Sequence, residues 1–144
     1  MRFWDASAVT PLLVSERWSD RIEELVRADQ EIVVWWGTRL ECASALRRRE
    51  RDGALSSGGA RQALELLGTL AAAWSEVLPT DAVRASAERA LAVHPFRAAD
   101  ALQLAAALTW RRDHTRRLEF ISLDDRLRDA AEREGFIGLP EALE

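Results

Sequence analysis

The chain contains no lysine. A phosphate-binding loop of the Gly-Lys-Ser/Thr kind and Schiff-base chemistry both need that amine, so both are excluded. Histidine is scarce: His94 and His114 are the two present, with no HExxH and no His/Cys ligand spacing, which argues against zinc. The lone cysteine, Cys42, can form no internal disulfide, and a cytoplasmic protein is expected. No apolar run reaches the roughly 18–20 residues of a membrane span, so no membrane association is expected. The N-terminus opens on a strand-like segment without a basic region, apolar core and small-residue cleavage site, which argues against export. A GxSxG elbow and a Gly-rich dinucleotide fingerprint are also missing.

What is present is a globular composition. Of 144 residues, 48% are hydrophobic and 31% charged, enough for one domain over residues 1–144 with a sizeable core. The net charge of −4 counts mildly against a nucleic-acid binder, although local charge matters more than the sum. Arginines cluster in ALRRRERDG (Arg47, Arg48, Arg49, Arg51) and in WRRDHTRRLE (Arg111, Arg112, Arg116, Arg117). They read either as solvated helix ends or as phosphate contacts beside a site.

Patterning predicts alternating strands and helices. Arg2–Ala6 reads as a strand ending on Asp5, Thr10–Val14 as a short helix, and Arg17–Asp29 as an amphipathic one. The continuous apolar run Glu31–Trp36 suits a buried parallel strand, broken by Gly37. Thr38 then opens a helix to about Asp52, stopped by Gly53. Leu55–Gly59 reads as a loop, Ala60–Trp74 as a helix, and Glu76–Leu78 as a short strand. A helix capped by Thr80 or Asp81 runs to about Val93, where His94-Pro95 breaks it. Arg97–Arg112 is rich in Ala and Leu on nearly every face, which implies a buried helix. Leu118–Leu123 is a strand, Asp124–Glu134 a helix, and Phe136-Ile137 an edge strand. The adjacent Trp35 and Trp36 would face two core layers, with base stacking as the alternative. This alternation predicts an α/β fold, a three-layer α/β/α sandwich around a parallel sheet of four to five strands.

Four carboxylates fall where such a sheet delivers them to one rim: Asp5, Glu41, Asp100 and Asp124. Each has a local alternative. Asp5 ends a strand and could make an Asx turn; as a ligand it would be supported by the Ser7 hydroxyl. Thr38-Arg39-Leu40-Glu41 matches a capping box, with Thr38 as N-cap and Glu41 reaching back to its amide. Asp100 and Asp124 could each cap a helix, and Asp125 could be surface charge. Gathering carboxylates is costly unless something positive joins them, and an all-oxygen set suits a hard cation, Mg²⁺ or Mn²⁺.

These residues also carry a resemblance. The opening WDASA followed by V-x-P-L-L, the T-R-L-E after the second strand, RAADALQLAAAL, and ISLDDRLRDAAEREG occur in the order of the PIN-domain ribonucleases. Within that family the chain resembles the VapC-like toxins of type II toxin–antitoxin pairs. The resemblance implies a PIN-like sandwich whose acids are Asp5, Glu41, Asp100 and Asp124, with Asp124 selected over Asp125. It also implies Mg²⁺- or Mn²⁺-dependent cleavage of RNA, a homodimer, and a cognate antitoxin. Ser122 stands where the family often has threonine. Arg47, Arg48 and Arg49 are the candidate RNA contacts, and Ser7 and Thr38 the supporting hydroxyls. Two other classes stay open: a catalytically silent PIN-fold binding module, and a phosphatase with Asp5 as nucleophile. The latter needs a second Asp two residues on, where this chain has Ser7.

Overall fold

Five short strands pair side by side, every pair parallel. They are β1 (Arg2–Trp4), β2 (Ile32–Trp35), β3 (Ser75–Val77), β4 (Glu119–Ile121) and β5 (Ile137–Leu139), in spatial order β3-β2-β1-β4-β5. The computed structural model describes residues 1–141; the expected domain end, residues 142–144, lies outside it. Helices α1 (Ala6–Val9), α2 (Ser19–Ala28), α3 (Thr38–Arg51), α4 (Ser57–Ala73), α5 (Asp81–Val93), α6 (Ala98–Arg111) and α7 (Asp125–Arg133) fill the connections. A 3-10 turn, Thr10–Leu12, follows α1. Among these helices none is long and apolar enough to cross a membrane.

Strand alternation separates two cores. Phe3, Val33, Trp35 and Phe120 point to one face and pack under α5, α6 and α7. Trp4, Ile32, Val34 and Ile121 point to the other and pack under α1 to α4. Both faces are thus covered, the condition under which an all-parallel sheet is stable, and the strands accordingly read as continuous apolar runs. The result is the three-layer sandwich expected. Helix α6 is the buried one: Ala101, Leu104, Ala105, Ala106 and Ala107 are inaccessible, and their small side chains let its backbone lie close to the sheet. His94 ends α5 and is itself buried, with Nε2 3.0 Å from Glu134 Oε1.

Several local expectations change. Ala6, expected in the first strand, opens α1 because Asp5 caps that helix, and the helix expected over Thr10–Val14 is the 3-10 turn Thr10–Leu12 that continues α1. The loop over Leu55–Gly59 is shorter, because Ser56 caps α4 by accepting from Gly59 N at 2.9 Å and the helix begins at Ser57. Thr38 is not an N-cap; Gly37 holds that position and Thr38 is the first helical residue. Trp36 does not enter a second core layer. It is 53% exposed, because β2 ends at Trp35 and the chain has reached the sheet rim. Gly37 is needed there for a different reason: a Cβ would lie 2.5 Å from Trp35 Nε1, so only glycine lets that indole fold over the backbone.

The two tryptophans therefore differ in worth. Trp35→Ala should cost about 3–5 kcal/mol in urea unfolding, as for other buried large-to-small changes. Trp36→Ala should cost no more than about 1 kcal/mol. Equal losses would mean that Trp36 belongs to the core after all.

Candidate functional site

Strand order reverses at β1, which has β2 on one side and β4 on the other. In open parallel sheets such a switch point leaves a crevice at the carboxyl ends of the strands. Asp5 leaves β1 there, Glu41 follows β2 in the first turn of α3, and Asp124 follows β4 as the N-cap of α7. Asp100 arrives from the first turn of α6.

Asp5 is 4% exposed and wrapped in hydroxyls. Ser122 Oγ donates to Oδ2 at 2.6 Å, Ser7 Oγ donates to the same oxygen, and Ser7 N donates to Oδ1 at 3.3 Å. Ser7 Oγ in turn accepts from Leu123 N at 2.9 Å, so Ser7 and Ser122 fasten the exit of β1 to the exit of β4. Burial pushes the Asp5 carboxyl above its ordinary range. The hydrogen bonds from Ser122 and Ser7 oppose that shift, and the Asp124 charge adds to it. Ser122 was legible only as a departure from the family pattern. Its contact with Asp5 comes from the pairing of β1 with β4.

Glu41 does not close a capping box. Its Oε1 accepts from Gln103 Nε2 at 3.2 Å, and the same amide donates to Thr38 Oγ1 at 3.0 Å. Thr38 and Glu41 thus meet through a residue of α6 rather than through the α3 backbone. Gln103 is 1% exposed and its Oε1 has no hydrogen-bond partner among the described residues. Sequence reasoning missed it, although an amide three residues after Asp100 in a helix of Ala and Leu was a visible signal. Burial raises the Glu41 carboxyl to about 7, with the Asp5 and Asp100 charges adding to the shift and the Gln103 bond opposing it.

Asp100 and Asp124 also serve their helices. Asp100 Oδ2 accepts from Arg97 N at 3.2 Å, and Asp124 Oδ1 accepts from Arg126 N at 3.0 Å and Leu127 N at 3.2 Å. Asp125 is exposed and paired with Arg128 on its own helix.

The four acids share one electrostatic neighbourhood: Asp124 acts on Asp5, and Asp5 and Asp100 act on Glu41. Little positive charge meets them. Among the described residues only Asp124 has an arginine at ion-pair distance, Arg126 at 4.0 Å. In donor type and in uncompensated charge the set fits a hard divalent cation. As they stand, with oxygens turned to amides and hydroxyls, no three or more His, Cys, Asp or Glu of the described residues form a group placed to hold a metal ion.

The arginine clusters separate. Arg111 lies in the last turn of α6, the end away from Asp100, and donates to Glu134 O; Arg117 donates to Gly135 O and Phe136 O just before β5. These lie at the amino ends of the strands, so that cluster is not beside the acids. In α3, Arg47 pairs with Glu50 at 3.0 Å and Arg49 with Glu16 at 2.7 Å. Arg48 instead lines a cleft of about 480 Å³ together with Ser7, Thr10, Glu41 and Ser44.

No family model matches the chain, and no curated protein does. Its structure is similar to the crystal structure of FitAcB from Neisseria gonorrhoeae, with a TM-score of 0.66 over 97% of each chain at 14% identity. At that identity the likeness is one of fold. It supports the PIN-like sandwich that the sequence motifs imply.

The Glu41 carboxyl has a measurable consequence in metal-free protein. Its folded value, about 7, lies above the ordinary 4.5, so the folded state holds this proton more tightly. That stabilisation is complete below the ordinary value and is lost as pH rises through about 7. Glu41→Gln cannot ionise, so it should melt higher than wild type at pH 8 and show a flatter melting curve against pH between 5 and 8. Parallel curves for the two proteins would show that Glu41 titrates normally.

Proposed function

We propose that this chain is a Mg²⁺- or Mn²⁺-dependent endoribonuclease. What supports the reading is that Asp5, Glu41, Asp100 and Asp124 come from the switch-point rim and act on one another in pairs, Asp124 on Asp5 and Asp5 and Asp100 on Glu41, with Arg126 as the one arginine of the described residues at ion-pair distance from any of them. Asp5, Asp100, Asp124 and Glu41 are the residues that would hold the ion, directly or through water. When bound, the cation supplies a water of lowered pKa and positive charge for the phosphate oxygens.

The chain's own groups have separable tasks. Ser7 and Ser122 hold the Asp5 carboxylate in one orientation, which removes reorganisation from binding. A carboxylate that the cation does not fully engage, Glu41 being the candidate beside the cleft, would accept the proton of the attacking water. Gln103 and Thr38 fix the direction in which Glu41 points. In-line attack by water leaves 5′-phosphate and 3′-hydroxyl ends and does not involve the 2′-hydroxyl. The sequence resemblance adds a toxin role in the cytoplasm, a homodimer and a cognate antitoxin. A catalytically silent PIN-fold binding module is the second reading. It is favoured by the caps that Asp100 and Asp124 make, which give both acids a structural use.

Single-stranded RNA incubated with protein and Mg²⁺ or Mn²⁺ decides between them. Cleavage with 5′-phosphate ends is expected, and Asp5→Asn or Asp100→Asn should abolish it. Metal-free melting temperatures of these variants should stay level or rise, because a like charge has left the cluster. Millimolar metal should raise the wild-type melting temperature by mass action. Ends bearing 2′,3′-cyclic phosphate, or no cleavage and no melting shift, would overturn the nuclease reading.

Asp124 and Asp125 should part company. Asp124→Asn keeps a competent N-cap, since Asn caps about as well as Asp, so stability should hold while activity is lost. Asp125→Asn should keep most activity and cost about 0.3–1 kcal/mol as a helix-terminus charge. The reverse order of activities would remove Asp124 from the site.

A further inference from the structure

The cleft beside Glu41 has a cationic end. Glu41, Ser44, Ala45 and Arg48 lie along one side of α3 and line it, faced by Ala6, Ser7 and Thr10 from the first helical segments and by Ala99 from α6. Glu41 and Arg48 stand two helical turns apart, about 10.5 Å along the axis. Arg48 is the cationic residue among those lining the cleft. The sequence places three arginines in a row, and the fold gives them different fates. Arg47 is paired along its own helix with Glu50, and Arg49 is drawn across to Glu16. Among the described residues Arg48 has no carboxylate partner, and it makes no ion pair with Glu41 although they share the hollow. Arg48 is exposed at the cleft, and its guanidinium donors have no partner among the described residues.

A strand of phosphates approaching four carboxylates meets repulsion at every phosphate, not only at the one to be cut. A bound divalent ion offsets this at the scissile group alone. A phosphate farther along the strand needs its own cation, within reach of the acids but not paired with them. Arg48 satisfies both conditions, and its fork suits two oxygens of one phosphate. The exposed Ser44 hydroxyl on the same wall can donate to a phosphate or ribose oxygen, whereas the buried Thr10 hydroxyl already donates to Ala6 O at 2.9 Å.

We propose that this cleft is a subsite for a backbone phosphate of single-stranded RNA flanking the cut, and that Arg48 binds it. The inference rests on the nuclease reading above. Arg48 carries no sequence preference, because a phosphate contact positions the strand and does not read its bases.

The test uses the full chain and a single-stranded RNA oligonucleotide that the wild type cuts. Arg48→Gln should raise KM about tenfold with little change in kcat, the effect of losing one charged hydrogen-bonded contact. It should flatten the logarithmic salt dependence of binding by about 0.7, one contact on a single strand, with Asp5→Asn present in the background to prevent cutting. Arg48→Lys should recover most of the salt slope, and Arg47→Gln should match wild type. A series of oligonucleotides, each carrying one neutral methylphosphonate, locates the contact: at one position the substitution should weaken wild type and leave Arg48→Gln unaffected. If Arg48→Gln behaves as Arg47→Gln does while wild type cleaves, the subsite is wrong and the nuclease reading stands. If wild type cuts no RNA, the nuclease reading falls and the subsite falls with it.

Discussion

A carboxyl group at the end of the central strand of a buried sheet must be hydrogen-bonded, neutralised or both, because its desolvation costs several kcal/mol otherwise. Asp5 is that group, and much of the rim is arranged around it. Ser7 comes from the first turn of α1 and Ser122 from the residue after β4, and both hydroxyls donate to one Asp5 oxygen. The same hydroxyls tie back to the Leu123 and Asp124 amides. The constraint that keeps Asp5 in place thus also sets where the chain leaves β4, and with it the position of Asp124.

A second chain of contacts places the remaining acids. Helix α6 lies on the sheet through alanines, which brings its backbone close enough for Gln103 to reach both Thr38 and Glu41 of α3. Glu41 belongs to one helical layer and Gln103 to the other, so this amide crosses the sheet rim. Asp100 stands one turn earlier on α6 and adds its charge to the same region. The local caps made by Asp100 and Asp124 do not conflict with such a site. A helix N-terminus favours an anion whether the carboxylate meets backbone amides alone or a cation as well.

Much of this was readable from sequence because it depends on short-range pattern. Apolar runs of strand length alternating with amphipathic segments require a covered parallel sheet. Helices α3 and α7 end at Gly53 and Gly135, whose φ values of +79° and +101° explain why glycine stands there. Buried strands cannot carry acids in their interiors, so Asp5 had to be at a strand end and Asp124 just beyond one. By the same logic Asp100, set among alanines at a helix start, had to face something polar.

Pairing across the rim was not readable, because it depends on which strands become neighbours. The sequence by itself determined the alternation of strands and helices, and with it the layers, and it set Asp5, Glu41, Asp100 and Asp124 close to strand ends or helix starts, since burial and periodicity act over a few residues. Only the tertiary structure decided that Ser122 would hold Asp5 and that Gln103 would displace the capping box of Thr38 and Glu41. It also decided that Trp36 would stand at an open rim, and that three consecutive arginines would face Glu50, a cleft and Glu16 in turn. The physical reason is the same in each case: a hydrogen bond or ion pair between residues far apart in the chain forms only where strand order and helix packing bring them together.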